Sequence, residues 1–275
     1  MRSYTEIKEW LEDIQQDELG IRSLNGLYDR AMIQVIRIAL KKYPEPPCHF
    51  SWFVIGSGGR RELVPTSDQD HGIMYRDDGH ERYFQQLGQE IADGLHQIGF
   101  SYCDGGVMAS ERAWCRSLNE WQKQLMEWYC SDDITATRHL QMLYDLRIVY
   151  GDKSYEQMVK NWTEPQSHEQ LEKYICTTTW VKKSMTPLGK LILEKSKYFD
   201  FKNAVYVPYI NSRRLQKMAG MQQDCKLYDA IMEIRMTEPS FVEIQPSNRK
   251  AIKELVKSVR KLHNDVREKI GIGCS

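Results

Sequence analysis

Apolar side chains recur at helical spacing through the first forty residues of the chain. Ser3 and Glu6 have the spacing of a capping box, and the apolar positions that follow them fall on one face of a helix. A second helical pattern covers residues 24–42 and stops before the proline-rich run Pro44–Pro47. The pattern therefore predicts two N-terminal helices.

Short aromatic and β-branched runs follow the prolines. FSWFVIG (Phe50–Gly56) and HGIMY (His71–Tyr75) predict two strands on either side of a polar, turn-rich segment. Residues 81–98 predict a helix, because their apolar side chains recur every four positions. Val107 and Met108 predict one more short strand.

From Ser117 onward the pattern is almost wholly helical, with breaks such as those at Gly151 and Pro187. The predicted elements are first helices, then strands mixed with helices, and then a helical block. This order predicts the α+β class. The chain is accordingly divided into three predicted parts: N-terminal helices over 1–45, a small mixed-sheet domain over 46–163, and an α-helical C-terminal domain over 164–275.

Composition narrows the choice of partners. Lys plus Arg and Asp plus Glu number 38 each, so overall charge does not favour nucleic acid, and phosphate affinity has to come from a local cluster. No stretch reaches the roughly 18 apolar residues of a membrane helix, and the charged N-terminus lacks a signal-peptide pattern. Seven cysteines without CxxC spacing indicate reduced thiols and predict a cytoplasmic protein.

The segment GSGGRRELVPTSDQD (Gly56–Asp70) holds the candidate chemistry. Asp68 and Asp70 are two residues apart, so they point to the same side of an extended chain. Two adjacent carboxylates repel each other unless a cation lies between them, and oxygen ligands of this kind suit Mg²⁺. The spacing therefore predicts that both aspartates bind magnesium.

The start of the same segment predicts a phosphate site. Gly56 allows close approach of the backbone to an anion, and Ser57 adds a hydroxyl donor. Arg60 and Arg61 supply positive charge for phosphate, and Glu62 is expected to pair with one of them and fix its direction. Glycine-rich turns and Asp-x-Asp pairs each occur in solvated loops, whereas their combination is typical of phosphoryl or nucleotidyl transfer.

The pattern GSGGRREL…SDQD resembles the signature of the polymerase β-type nucleotidyltransferase superfamily. It is most similar to the branch of the enzymes that uridylylate PII and adenylylate glutamine synthetase. Gly99–Trp121, Leu143–Asp152 and Phe199–Gly220 resemble a nucleotidyltransferase family often fused to CBS or cyclic-nucleotide-binding domains, here without such a module. The resemblance runs from about residue 50 to about residue 235.

The resemblance implies that Gly56 and Ser57 contact a nucleoside triphosphate and that the aspartate pair binds Mg²⁺. It also implies a third acidic residue on a later strand. Asp104 is the nearest candidate by position, and Asp145 is an alternative in a segment that reads as helical. A site with no third acid is the remaining possibility.

These observations predict a Mg²⁺-dependent nucleotidyltransferase that moves a nucleoside monophosphate from ATP or UTP to a hydroxyl acceptor. By analogy, the acceptor is expected on a signalling protein. A nucleotide-binding regulator with weak or absent catalysis is the alternative. Action on a nucleic-acid end is disfavoured by the balanced charge.

Overall fold

The computed structural model describes residues 1–14, 19–165, 167–178, 182–222, 225–237 and 240–270. They form two compact units, Met1–Glu164 and Pro165–Ser275.

The first unit begins with helices that pack together and then builds a sheet. Ser3 caps the first helix, because its hydroxyl accepts a hydrogen bond from the Glu6 N–H, as the capping box predicts. The elements of this unit are α1 (Tyr4–Glu12), α2 (Ile21–Leu40), β1 (Phe50–Val54), α3 (Gly56–Arg60), β2 (His71–Tyr75), α4 (Glu81–Gln97), β3 (Cys115–Ser117), α5 (Leu118–Cys130), α6 (Ile134–Leu143), β4 (Arg147–Gly151) and α7 (Ser154–Thr163).

The sheet of the first unit is mixed. Its strand order is β3-β2-β1-β4; β1 runs antiparallel to β2 and β4, and β2 runs parallel to β3. Every residue of β1 and β2 is buried, which explains why both strands read as nearly continuous apolar runs. The predicted α+β class with a small mixed sheet is confirmed.

Two sequence predictions in this unit are wrong. Val107 and Met108 do not form a strand; the three residues of β3 take the place beside β2. The segment around Asp145 is not helical, since it makes a turn and leads into β4. Pairing with β1, which shifts register between Trp52 and Phe53, decides that β4 is a strand.

The second unit is mainly helical. Its elements are α8 (His168–Thr178), β5 (Tyr198–Asp200), α9 (Val207–Met218), α10 (Cys225–Thr237), β6 (Phe241–Glu243) and α11 (Arg249–Ile270). The antiparallel pair β5–β6 was not predicted in the almost wholly helical pattern after Ser117. One face of α11 packs into the core of this unit through side chains such as Val256 and Val259.

Within the described residues, no helix has the length and apolarity that crossing a membrane requires.

Candidate functional site

The aspartate pair lies in an extended segment that leads into β2. Gln69 and His71 are buried, whereas Asp68 is exposed and Asp70 is half-buried. The Gln69 side-chain amide donates to two backbone carbonyls, each at 3.1 Å, which fixes the inward side of the segment. Because side chains alternate along an extended chain, both carboxylates are left on the opposite side, together.

His71 completes the buried side of this segment. Its Nδ1 accepts a hydrogen bond from the Ala109 N–H at 3.1 Å, so its Nε2 carries the proton and donates to Gln69 Oε1 at 2.9 Å. Burial lowers the pKa of His71 to about 3, which keeps the ring neutral at physiological pH. Its role is therefore structural.

Asp68, Asp70 and Cys103 form a group in which each residue offers one ligand atom. These ligand atoms lie within 4.8 Å of one another. Asp104 is exposed in the turn that follows Cys103 and is not a member of this group. The structure thus groups a thiol with the two aspartates, and the role of Asp104 as a third acid stays a prediction.

Backbone hydrogen bonds hold Cys103 beside the aspartates. The Gln69 N–H donates to the Ser101 carbonyl at 2.9 Å, and the His71 N–H donates to the Val107 carbonyl at 3.0 Å. The chain from residue 101 to residue 107 is therefore fastened at both ends to the segment that carries the aspartate pair.

The Cys103 thiol is half-buried. Burial is the main cause that raises its pKa to about 11, and the negative charge of Asp70 adds to the rise. Without a bound cation, the group is a protonated thiol at neutral pH. Backbone groups of Val107 and Gly105 act in the opposite direction and limit the rise of this pKa.

Gly56 lies against the aspartate pair. Its φ is +55°, and a Cβ at this position would lie 3.0 Å from Asp70 Oδ2. The Ile55 N–H donates to the Asp70 carbonyl at 3.0 Å, which joins the end of β1 to the aspartate segment. Both the backbone conformation and the available space therefore favour glycine beside the carboxylate.

Ser57 follows Gly56 in α3 and is half-buried. The structure places it one residue from the glycine that contacts Asp70, so the predicted phosphate turn and the predicted cation ligands are neighbours.

Arg60 is held by two carboxylates. Its Nε contacts Glu62 Oε2 at 2.7 Å, and its Nη1 donates to Asp145 Oδ2. The side chains are 16% exposed for Arg60, 1% for Glu62 and 8% for Asp145. The expected pairing of Glu62 with an arginine is confirmed. Asp145, the alternative candidate for the third acid, takes part in this ion pair.

The neighbouring Arg61 has a different setting. Its side chain is 53% exposed and contacts Asp29 of α2 at 3.0 Å. Asp29 also binds Arg147 of β4 at 2.8 Å, and Arg147 donates to the Gly58 carbonyl at 2.9 Å. Sequence reasoning missed Asp29 and Arg147, because they join the arginine turn across a long separation in the chain.

A substitution at Gly59 tests this placement of α3. A Cβ at Gly59 would lie 1.9 Å from the Asp145 carbonyl oxygen, and backbone cannot swing aside. We expect Gly59→Ala to lower the free energy of unfolding by about 1–3 kcal/mol. In urea unfolding, the matched variant Gly26→Ala, with no atom within 4 Å of the new Cβ, should gain about 0.5–1 kcal/mol. Equal stability of both variants would contradict the packing of α3 on Asp145.

The fold and these side chains define a class of protein. It is an α+β protein with a candidate cation site beside a turn that begins at Gly56. Residues 8–134 match the model of a family described as "Putative nucleotidyltransferase DUF294". The match supports a protein of nucleotidyltransferase type. It includes Gly56, Asp68, Asp70 and Cys103, and it ends before β4. The comparison with curated proteins finds no match.

Proposed function

We propose that the chain is a nucleotidyltransferase, dependent on a divalent cation, that moves a nucleoside monophosphate from ATP or UTP to a hydroxyl acceptor. The observation that supports this most is the convergence of Asp68, Asp70 and the Gly56–Ser57 turn within the segment that matches the family model. Kinship with the PII-modifying branch stays a prediction.

The side chains fit a divalent cation. Asp68 and Asp70 present carboxylate oxygens on one side of an extended segment, and Mg²⁺ typically takes one or two carboxylates together with phosphate oxygens and water. Asp68 and Asp70 would hold the cation. When bound, it neutralises the negative charge that develops on the phosphates.

The residues around the pair have proposed roles of their own. Gly56 lets a triphosphate approach the backbone, and Ser57 offers it a hydroxyl donor. Arg61, exposed at the end of α3, adds positive charge to that side of the turn. Arg60, with its guanidinium on two carboxylates, is proposed to position α3 instead of meeting phosphate.

The transfer itself is a displacement at phosphorus. The acceptor oxygen bonds to the α-phosphorus while the bond to the pyrophosphate oxygen breaks, and pyrophosphate leaves with the electron pair. The hydroxyl proton passes to solvent, which reaches the exposed Asp68. Positioning and charge account for most of the catalysis in reactions of this kind.

The acceptor is proposed to be a hydroxyl on a signalling protein. The equal numbers of acidic and basic residues do not favour a nucleic-acid acceptor. Cys48, Cys103, Cys115 and Cys130 are free thiols, which fits a reducing compartment, so the cytoplasm is the proposed location.

One observation favours the second function, a nucleotide-binding regulator with little turnover. The third position beside Asp68 and Asp70 holds a thiol, and Asp145 is occupied by Arg60. A polymerase-type site that lacks a third carboxylate could still bind its nucleotide but transfer it slowly or not at all.

The test uses the full chain with each of four α-³²P-labelled nucleoside triphosphates, MgCl₂ or MnCl₂, and a cell extract as the source of acceptor. We expect labelled acceptor and pyrophosphate with ATP or UTP. Cation-dependent binding heat in calorimetry without label transfer would select the regulator. Absence of both binding and transfer would overturn both functions.

A further inference from the structure

Cys103 is the feature that the family chemistry leaves without a role. Its sulfur is grouped with one oxygen of Asp68 and one of Asp70, all within 4.8 Å of one another. The three side chains therefore suit a single metal ion between them.

The backbone fixes the sulfur in this place. Residues 101 and 107 are hydrogen-bonded to Gln69 and His71, on either side of Asp70. The Gly106 N–H donates to the Cys103 carbonyl at 3.0 Å and closes the turn between these two anchors. These hydrogen bonds therefore hold the backbone of Cys103 beside the aspartates.

The turn packs close to the sulfur. A Cβ at Gly105 would lie 3.6 Å from Sγ. Contacts of this kind around a ligand help to orient it toward a metal.

The acids that could have filled the third position lie elsewhere. Asp104 is exposed and outside the group, and Asp145 is bound to Arg60. Within the part of the chain that the structure describes, Cys103 is the residue that completes a group of three around the aspartate pair.

We propose that Cys103 is the third protein ligand of the cation, and that the site therefore binds thiophilic divalent ions of the Zn²⁺, Co²⁺ and Cd²⁺ class more tightly than two carboxylates alone would. As the bond from Sγ to the ion forms, the thiol proton is released to solvent. A thiolate selects such ions, whereas Mg²⁺ gains little from sulfur. This inference rests on the cation site of the proposed function and not on turnover.

Alkylation of Cys103 in the unaltered protein measures the bond directly. The full chain is treated with iodoacetamide in buffer, in Cd²⁺ or in Mg²⁺, and modification of each cysteine is quantified by peptide mass spectrometry. We expect Cd²⁺ to slow alkylation of Cys103 by about tenfold or more, and Mg²⁺ to slow it much less. Exposed Cys130 is the internal control. Equal protection of Cys103 and Cys130 would overturn the proposal.

Two variants test the ligand set. Asp70→Asn should raise the Cd²⁺ concentration needed to protect Cys103 by about 10–100-fold, because one ligand of the same ion is lost. Cys103→Asp should reverse the preference in calorimetry, with tighter Mg²⁺ and weaker Cd²⁺ binding. The proposal would be overturned if Cys103→Asp left the ratio of the Mg²⁺ and Cd²⁺ affinities unchanged. It would also be overturned if Asp70→Asn left the Cd²⁺ concentration needed for protection unchanged. These measurements use no nucleotide, so they test the cation site separately from nucleotidyl transfer. If Cd²⁺ protects Cys103 but no label is transferred, this inference stands and the proposed function does not.

Discussion

Replacement of Asp70 by asparagine is expected to reduce nucleotidyl transfer by about 10²–10³-fold, which is the usual effect of removing one preorganised charge-stabilising group. Asparagine keeps the shape of the side chain and removes its charge. Asp70 is half-buried, and its carboxylate is grouped with Asp68 and Cys103. Its Oδ2 would lie 3.0 Å from a Cβ at Gly56. Asp68→Asn should act in the same direction. Pyrophosphate release at saturating nucleotide measures both.

The comparison variants make this result specific. Asp13→Asn removes an exposed carboxylate at the end of α1 and should leave both the rate and the cation affinity as they are. Asp104→Asn separates the two candidates for the third ligand. A rate for Asp104→Asn that falls as far as that of Asp70→Asn would make Asp104 the third acid and remove Cys103 from that role.

Arg60→Gln is expected to have the largest effect on stability, with a loss of about 3 kcal/mol in the free energy of unfolding. It would leave Glu62 and Asp145, both buried, without the guanidinium between them. Removal of one member of a buried ion pair typically costs about 3–5 kcal/mol, because a charge stays buried without compensation. Both carboxylates make further contacts, so we expect the lower end of this range. Equilibrium unfolding in urea measures the loss.

Arg61→Gln is the matched control in the next position. Its side chain is 53% exposed, and Asp29 keeps Arg147 when Arg61 is changed. An exposed pair of this kind contributes about 0–1 kcal/mol. Similar losses for the two variants would show that Arg60 does not hold α3 through buried charge. The double variant Arg60→Gln/Asp145→Asn should recover part of the loss, since one buried charge is gone.

Local pattern was sufficient for the elements that are buried along their whole length. The runs Phe50–Val54 and His71–Tyr75 are rich in aromatic and β-branched residues, and both form the predicted strands. In helix Glu81–Gln97 the apolar side chains recur at helical spacing, and this spacing predicted the helix. Two elements carry no such signal. The three residues of Cys115–Ser117 are too few for a period, and Arg147–Gly151 is a strand because β1 pairs with it.

The segment Gly56–Arg60 shows how packing overrides propensity. Three glycines in five residues disfavour a helix, yet this stretch forms α3. Its glycines allow close packing, as at Gly59 on the Asp145 carbonyl, and Arg60 is fastened to buried acids. None of these contacts is local in sequence, so propensity alone could not reveal them.

Side-chain alternation and residue composition were enough to predict part of the candidate site. Alternation placed Asp68 and Asp70 on one side, and the structure keeps them there. Sequence reasoning considered only acids for the third position, whereas the structure groups Cys103 with the aspartate pair. A search over all metal-ligating residue types before the Gly105-Gly106 turn would have included Cys103. The ion-pair role of Asp145 had no local signal, because its partner lies 85 positions away.

The position of β4 has a consequence for work with shortened chains. The family match ends at residue 134, before β4 begins at Arg147. β1 lies between β2 and β4, so a chain cut at the end of the match would leave one side of a buried apolar strand with open backbone donors and acceptors. Such an uncovered edge invites pairing between molecules and aggregation. A fragment that covers the whole first unit, Met1–Glu164, keeps β4 beside β1.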